Sequence, residues 1–428
     1  MEQADSKKNK EFSFLDVFKN RNFVQLLSGQ IFSDFGDAVF RISIVLYVYS
    51  LTGSTTKMTL VLAMQTLPWI LIGPISGVFA DRISRKTIMV SSDILRAISI
   101  VSIPFIHSLY PLLIIAFLDG IGSACFAAPR SAAIPEMVGL KLYVKAISIS
   151  RLIFQTFAVL GPLIAAPVYA FFGPLAFWIT SGCYLISSSF IFFTLIPSAS
   201  REKESLTVKS VFSDLKEGIV FLFQHKIIKI LMLLFTVIVI GSAFAGQLLY
   251  PWIFEVRYNG NQLLEQIAQT EYGIIGAIIA LGTVMGNLVF GRFEKKIGRS
   301  RAIVLGSISL VVYYLIFQFT PSIYLVGAFG FIMGTLNGMM SLSINAYFAE
   351  EVPNEVRGRA YSATNAYIQV FSFSCLSLSG LTADSIGIAN TMMIASIIIL
   401  IGISLLTLRT KMFQFSRPVA KSIETVGD

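Results

Sequence analysis

The sequence predicts an all-α integral membrane protein whose twelve transmembrane helices form two similar halves of six. Three observations carry this. Of 428 residues, 55% are hydrophobic and only 13% charged, against about 25% charged in a soluble domain. The mean hydropathy is +0.75. The apolar residues come in long blocks, and the basic residues sit almost entirely in alternate gaps between them.

The blocks run over 23–50, 58–80, 87–106, 109–129, 147–171 and 174–197, then over 227–252, 272–291, 302–320, 322–346, 360–384 and 387–408. Each is near the roughly 20 residues a helix needs to cross about 30 Å of hydrocarbon. Helices are required because lipid leaves no water to satisfy exposed backbone groups. The longest gap, 198–226, separates two sets of six and defines a cytoplasmic linker. The organisation expected is a tail over 1–22, a first half over 23–197, the linker, a second half over 227–408 and a tail over 409–428. Within the linker, Val208, Val211, Phe212, Leu215, Ile219 and Phe223 fall near helical spacing, the pattern of an amphipathic linker helix.

Charge sets the orientation. With the N-terminus inside, 29 of the 33 Lys and Arg fall on the cytoplasmic side, so both termini are expected there. The net charge of +9 is topological on this reading and implies no nucleic-acid partner. Cys125, Cys183 and Cys375 lie inside apolar blocks, and the two histidines, His107 and His225, lie near loops. Neither a disulfide framework nor a histidine metal site or proton relay is implied. The polar start, Met1 to Asn20, followed by a long block, does not read as a cleaved signal peptide. No G-x-x-x-x-G-K-[ST] phosphate loop occurs, and no nucleophile, base and metal set stands out. An enzyme is not expected, nor a cofactor or resident metal.

The halves repeat at an offset of 214 residues. Gly77-Phe79-Ile83-Arg85 matches Gly291-Phe293-Ile297-Arg299, Phe117-Gly120 matches Phe331-Gly334, and Ala146-Ser148-Gln155-Phe157 matches Ala360-Ser362-Gln369-Phe371. Two parallel repeats are a common transporter plan, with the substrate site between them at the midplane.

The loop after the second block reads Gly77-Val78-Phe79-Ala80-Asp81-Arg82-Ile83-Ser84-Arg85-Lys86. It resembles the G-x-L-A-D-R-x-G-R-K signature of the major facilitator superfamily, departing chiefly at Ser84; its second copy has Lys295 in place of the acid. Ser33-Asp34-Phe35-Gly36-Asp37, Pro129-Arg130, Ile134-Pro135-Glu136 and Val352-Pro353 leading to Arg357-Gly358-Arg359 resemble the bacterial macrolide-efflux and siderophore-export branch. The resemblance implies a conformational gate of Gly77, Asp81, Arg82, Arg85 and Lys86. Asp81 would meet the positive N-terminus of the eleventh helix beside Arg357 and Arg359. Gly161-Pro162 fits part of the fifth-helix antiporter motif, although Phe157, Ala165 and Ala166 replace its other glycines. The fourth block lacks the arginine of the R-x-x-Q-G pattern and puts Asp119 where the glutamine belongs.

The first block carries Asp34, Asp37 and Arg41 on one helical face. A charge at the bilayer centre costs at least about 2.5–3.5 kcal/mol, so this face must line a cavity or protein interior. Pairing of Asp37 with Arg41 would leave Asp34 as a proton carrier; the alternative is a static packing network. Asp119 is a further candidate for coupling or substrate contact. Asp93 and Arg96 read as structural partners of the Asp81 loop. Cavity candidates among neutral side chains are Gln30, Gln65, Gln155, Gln247, Asn337, Asn345, Asn365 and Gln369. The expected function is secondary transport by alternating access in the bacterial cytoplasmic membrane. The favoured form is proton-coupled export of amphipathic small molecules, such as macrolide-like drugs or siderophores, by a monomer. The rivals are a proton-coupled importer of a small metabolite and a non-transporting receptor or lipid scramblase.

Overall fold

A computed structural model describes residues 14–76, 79, 83–196, 208–224, 226–353 and 357–410. The first half holds α1 (Arg21–Thr52), α2 (Thr55–Leu71), α3 (Arg85–Val101), α4 (Leu109–Val138), α5 (Leu140–Phe172) and α6 (Ala176–Phe193). The linker helix is α7 (Val208–Gln224). The second half holds α8 (Lys226–Val239), α9 (Glu265–Ile297), α10 (Arg299–Ile316), α11 (Ile323–Glu351), α12 (Arg357–Ile386) and α13 (Ile388–Thr410).

Local chemistry sets many of the ends. The Asn20 side chain accepts from the Phe23 N–H at 3.1 Å, and Gly53 closes α1 in the left-handed region. Ser54 then caps α2. Such caps satisfy helix-end groups that would otherwise be orphaned. Pro68 lies inside α2, and Gly73-Pro74 turns the chain into a 3₁₀ step.

Several sequence boundaries move. The fourth and fifth blocks were expected to stop at 129 and begin at 147; α4 and α5 instead run on until only Gly139, at φ 74°, separates them. In the added turns Arg130, Glu136, Lys141 and Lys145 interrupt the apolar run, which is why block length alone stopped short of them. The seventh block does not end at 252. Beyond α8 the chain continues through π-helical turns at Ile240–Ala245 and Trp252–Arg257, joined by short helical pieces.

Ten segments among the described residues are long and apolar enough to cross a membrane. One of them, Leu160–Phe193, contains the end of α5 and all of α6, and α1 is not among the ten. Ile98, Ile114, Leu152, Leu288 and Leu381 are each more than half exposed. An apolar exterior of this kind fits lipid rather than water. The chain is a multi-pass membrane protein.

The repeat governs packing. A Cβ on Gly120 would collide with the Gln65 carbonyl oxygen, and one on Gly334 would collide with that of Ile279. Both pairs stand at the same offset, so the α2–α4 crossing recurs as α9–α11. Small residues permit such close crossings. The halves meet through α2 against α12 and α5 against α9. There Gly380 packs on Thr55, Thr56 and Thr59, while Gly273 and Gly276 pack on Pro162.

Candidate functional site

Arg96, on α3, is 1% exposed and sits at the centre of the first half. A lone guanidinium here would be prohibitive, and three neighbouring helices and its own preceding turn answer it. Its Nε donates to Asp119 Oδ1 of α4 at 2.9 Å. Its terminal nitrogens meet Asp37 and Ser33 of α1, and Asp93 lies one turn back at 3.8 Å. The Tyr184 ring of α6 stacks beneath it at 3.9 Å, and that residue's hydroxyl donates to Asp37 at 2.7 Å. A second layer holds the carboxylates: Gln65 donates to Asp119 at 2.8 Å, and Ser187 to Asp93 at 2.6 Å.

One turn along α1, Asp34 is 5% exposed. It accepts from Gln30 Nε2 at 2.9 Å and faces Arg130 of α4 at 3.5 Å. Gln30 is locked by two bonds to Ser150 of α5. Asp34, Asp37 and Arg41 line a cavity of about 150 Å³ with Phe154, Phe157 and Pro162 of α5. The set therefore contains four carboxylates (Asp34, Asp37, Asp93, Asp119) and three guanidiniums (Arg41, Arg96, Arg130).

This differs from the sequence expectation in two respects. Asp37 pairs with Arg96, not Arg41, because α3 brings a guanidinium closer than the next turn of α1 does. Asp34 is not the unpaired acid, since Arg130 reaches it. Arg96 anchors this cluster, a role the sequence reading did not give it, while Asp81, in the loop expected as its partner, lies outside the described residues. Its signal was in the sequence: a single arginine deep in an apolar block demands buried acids, and Asp119 fills the place of the missing glutamine.

Among the gate residues, Gly77, Asp81 and Arg82 and the side chains of Arg357 and Arg359 lie outside the described residues. Arg85 is bound within its own half, to Glu136 at 2.6 Å and to the Ala132 carbonyl at 3.0 Å. Lys86 sits over the Phe192 ring at 5.1 Å. Gly161 abuts Ala38 of α1, while Pro162 touches α9 across the halves. Gln155 is exposed and Gln369 half-buried, and neither lines the acidic cavity.

The opposite end of the helices carries contacts that sequence reading missed. Asp384, at the end of α12, accepts from the backbone N–H groups of Thr55 and Thr56, each at 3.0 Å, and from the Ser54 hydroxyl at 2.8 Å. Nearby, the Tyr49 hydroxyl donates to Glu255. Both contacts join the two halves.

An all-helical membrane protein with repeated halves and a buried charge cluster beside a cavity is the architecture of a secondary transporter. The profile of the transmembrane secretion effector family matches residues 13–424, and the chain belongs to that family of major facilitator transporters. It is 25% identical over 426 residues to YfiS of Bacillus subtilis (strain 168), an uncharacterised transporter of the same superfamily, covering 94% of this chain and 96% of that one. It is 26% identical over 392 residues to macrolide efflux protein A of Streptococcus pyogenes, covering 88% and 93%. In fold it is similar to a bacterial homologue of the human lysosomal transporter Spinster, crystallised inward-facing and unoccupied. That likeness has a TM-score of 0.73 at 14% identity and covers 94% and 99% of the two chains.

Proposed function

We propose that this chain is a proton-coupled exporter of amphipathic small molecules in the bacterial cytoplasmic membrane. It would have twelve spans and both termini inside, α1 crossing despite its charges and α5 and α6 crossing separately. The observation that carries the coupling is the charge balance of the first-half cluster. Four carboxylates face three guanidiniums within membrane helices, and the Tyr184 hydroxyl bonds Asp37 among them. One bound proton makes the set neutral. Asp34 is the proposed site, because it lines the cavity and its arginine stands at 3.5 Å rather than in a tight bond. A substrate entering beside Asp34 would displace that proton. The efflux relatives and the packing of Pro162 on α9 support export.

Alternating access follows from the joints between halves. Asp384 on the α2 N-terminus and Tyr49 on Glu255 hold one end closed. With the N-terminus inside, that end is the outer one. Asp81 against the start of α12 is the proposed counterpart inside.

The test is proton movement in inverted membrane vesicles with an acidified interior, adding macrolides, cationic dyes and catecholate siderophores singly. Substrate-triggered proton efflux that disappears in Asp34→Asn, at unchanged protein level, is the expected result. Persistent coupling in that variant would remove Asp34 from the mechanism. Proton efflux only with substrate loaded inside the vesicles would favour import.

A further inference from the structure

Arg41 is the guanidinium that the first-half cluster leaves unused. Asp37 is taken by Arg96 and Asp34 by Arg130. Among the described residues no carboxylate comes within 4 Å of Arg41, and no hydrogen bond holds it. Yet it is exposed, and it lines the cavity of about 150 Å³ beside Asp34 and Asp37. A free cation in a membrane helix is costly; such residues face a protein interior or a pathway and are functional by default. Arg41 does not face lipid. Its charge acts on Tyr272 of α9, in the other half. Pro162, from the same cavity wall, packs on Gly276 of that helix. Tyr272 in turn lines a larger cavity of about 280 Å³ within the second half, with no Asp, Glu, Lys, Arg or His among its lining residues. The recess around Arg41 therefore lies against the seam between the halves, where alternating access brings the substrate.

We propose that Arg41 binds a carboxylate of the exported molecule, and that the preferred substrates are amphipathic zwitterions. The inference rests on the reading of the chain as a proton-coupled exporter and specifies what it takes. Charge balance decides between the substrate classes. A purely cationic substrate takes the place of the proton at Asp34 but meets Arg41 uncompensated. A purely anionic one suits Arg41, but it adds charge beside four carboxylates and holds the proton on Asp34 rather than releasing it. A zwitterion answers both. Its ammonium replaces the proton at Asp34, and its carboxylate takes the free guanidinium, a pairing that two parallel hydrogen bonds strengthen. Seven residues set the Asp34 and Arg41 Cα atoms about 10 Å apart. Helical side chains lean toward the N-terminus, so the longer Arg41 side chain shortens the gap between the charges. A benzene ring with para substituents is a spacer of that order. Phe154, Phe157 and Ile42 line the same recess, and a cavity of this size admits one such ring.

The experiment measures ligand-induced thermal stabilisation of purified full-length protein in detergent, without any gradient. 4-(Aminomethyl)benzoate is the zwitterion; 4-methylbenzylamine lacks its carboxylate, and 4-methylbenzoate lacks its amine. Stabilisation grows with the ratio of ligand concentration to Kd, so titration ranks the three affinities. The zwitterion should bind about ten- to hundredfold more tightly than 4-methylbenzylamine, the worth of hydrogen bonds to a charged group. Arg41→Gln should abolish that preference while binding the amine at least as well as wild type does. Arg41→Lys keeps the charge and should keep a smaller preference. The melt of each variant without ligand shows that it is folded. Three results overturn the proposal: equal wild-type affinity for the zwitterion and 4-methylbenzylamine, a preference that survives in Arg41→Gln, or tighter binding of 4-methylbenzoate than of the zwitterion. Because binding is read without a gradient, a lost carboxylate preference with intact drug-triggered proton efflux overturns only this inference. Carboxylate-dependent binding with no proton movement overturns only the coupled-export reading.

Discussion

Arg96 and Leu310 stand at equivalent positions of α3 and α10, 214 residues apart, and serve opposite ends. Around Arg96, Asp93 and Asp119 are drawn in to neutralise it. Their equivalents are Ser307 and Met333, and Leu310 and Met333 line the second-half cavity. Gln65, which holds Asp119, corresponds to Ile279. The α2–α4 crossing nevertheless repeats to the residue as α9–α11, with Gly120 and Gly334 making the same close approach. The difference teaches that the helix frame and its contents are separable. A frame built on small-residue crossings tolerates either an ion cluster, which fills the space with charge, or an apolar lining, which leaves a hollow.

Converting one content into the other gives the largest expected effect. Arg96→Leu installs the second-half residue but strands three carboxylates, and removing one partner of a buried ion set costs about 3–5 kcal/mol. The variant should unfold at markedly lower temperature in detergent and should not transport. Adding Asp93→Ser, Asp119→Met and Asp37→Asn removes the stranded charges. Apolar replacement of buried ion sets is often neutral or stabilising, so the quadruple variant should regain most of its thermal stability while remaining unable to move protons. If the single variant melts like wild type, the cluster does not hold the first half together.

The frame was legible before the structure because it depends on patterns along one helix or between repeats: block length, the basic loops and the 214-residue offset. The contents were less so. Spacing shows that Asp34, Asp37 and Arg41 share a face, but it cannot say which neighbouring helix brings a competing arginine, and Arg96 displaced Arg41 as the partner of Asp37. That Arg41 is left free of carboxylates was equally invisible, since its spacing from Asp37 reads as an ion pair. The π-helical turns gave only composition cues, Gly241, Gly246 and Pro251, which are also compatible with an ordinary kinked helix.

The two candidate latches extend the comparison from the core to the ends. Asp81 follows α2 and is proposed to face the start of α12; Asp384 ends α12 and binds the start of α2. On that proposal each half would offer one carboxylate to the other's helix N-terminus, at opposite membrane faces; the structure shows the Asp384 one. Losing a capping carboxylate costs about 0.5–2 kcal/mol. Because this contact exists only with that end closed, Asp384→Ala should shift the open-to-closed ratio by about 2- to 30-fold. Spin labels at Lys57 and Asn390 would read this as growth of a long-distance population. An unchanged distance distribution would reduce Asp384 to a static cap.

The smallest expected effect separates two ion pairs that the repeat makes equivalent. Arg85–Glu136 recurs as Arg299–Glu350, each tying the start of one helix to the C-terminal end of the next. Their burial differs: the side chains are 8% and 33% exposed in the first pair, 23% and 60% in the second. Arg85 also bonds the Ala132 carbonyl, so Arg85→Ala should cost about 1.5–3 kcal/mol, as charged hydrogen bonds do. Arg299 meets both Glu294 and Glu350, yet Arg299→Ala should cost only about 0–1 kcal/mol, because water screens exposed pairs. Glu350 lies beyond the apolar segment that ends at Phe348. The hydrogen bond from Arg299 holds its carboxyl below the ordinary value. A lowered folded-state value means the contribution is complete above the usual glutamate range, about pH 4.3, and fades as pH falls through the lowered value. Thermal unfolding of wild type and Arg299→Ala should therefore differ slightly near neutrality and converge in acid. A gap that persists in strong acid would assign the effect to packing of Arg299 over Tyr347, at 5.2 Å, rather than to its charge.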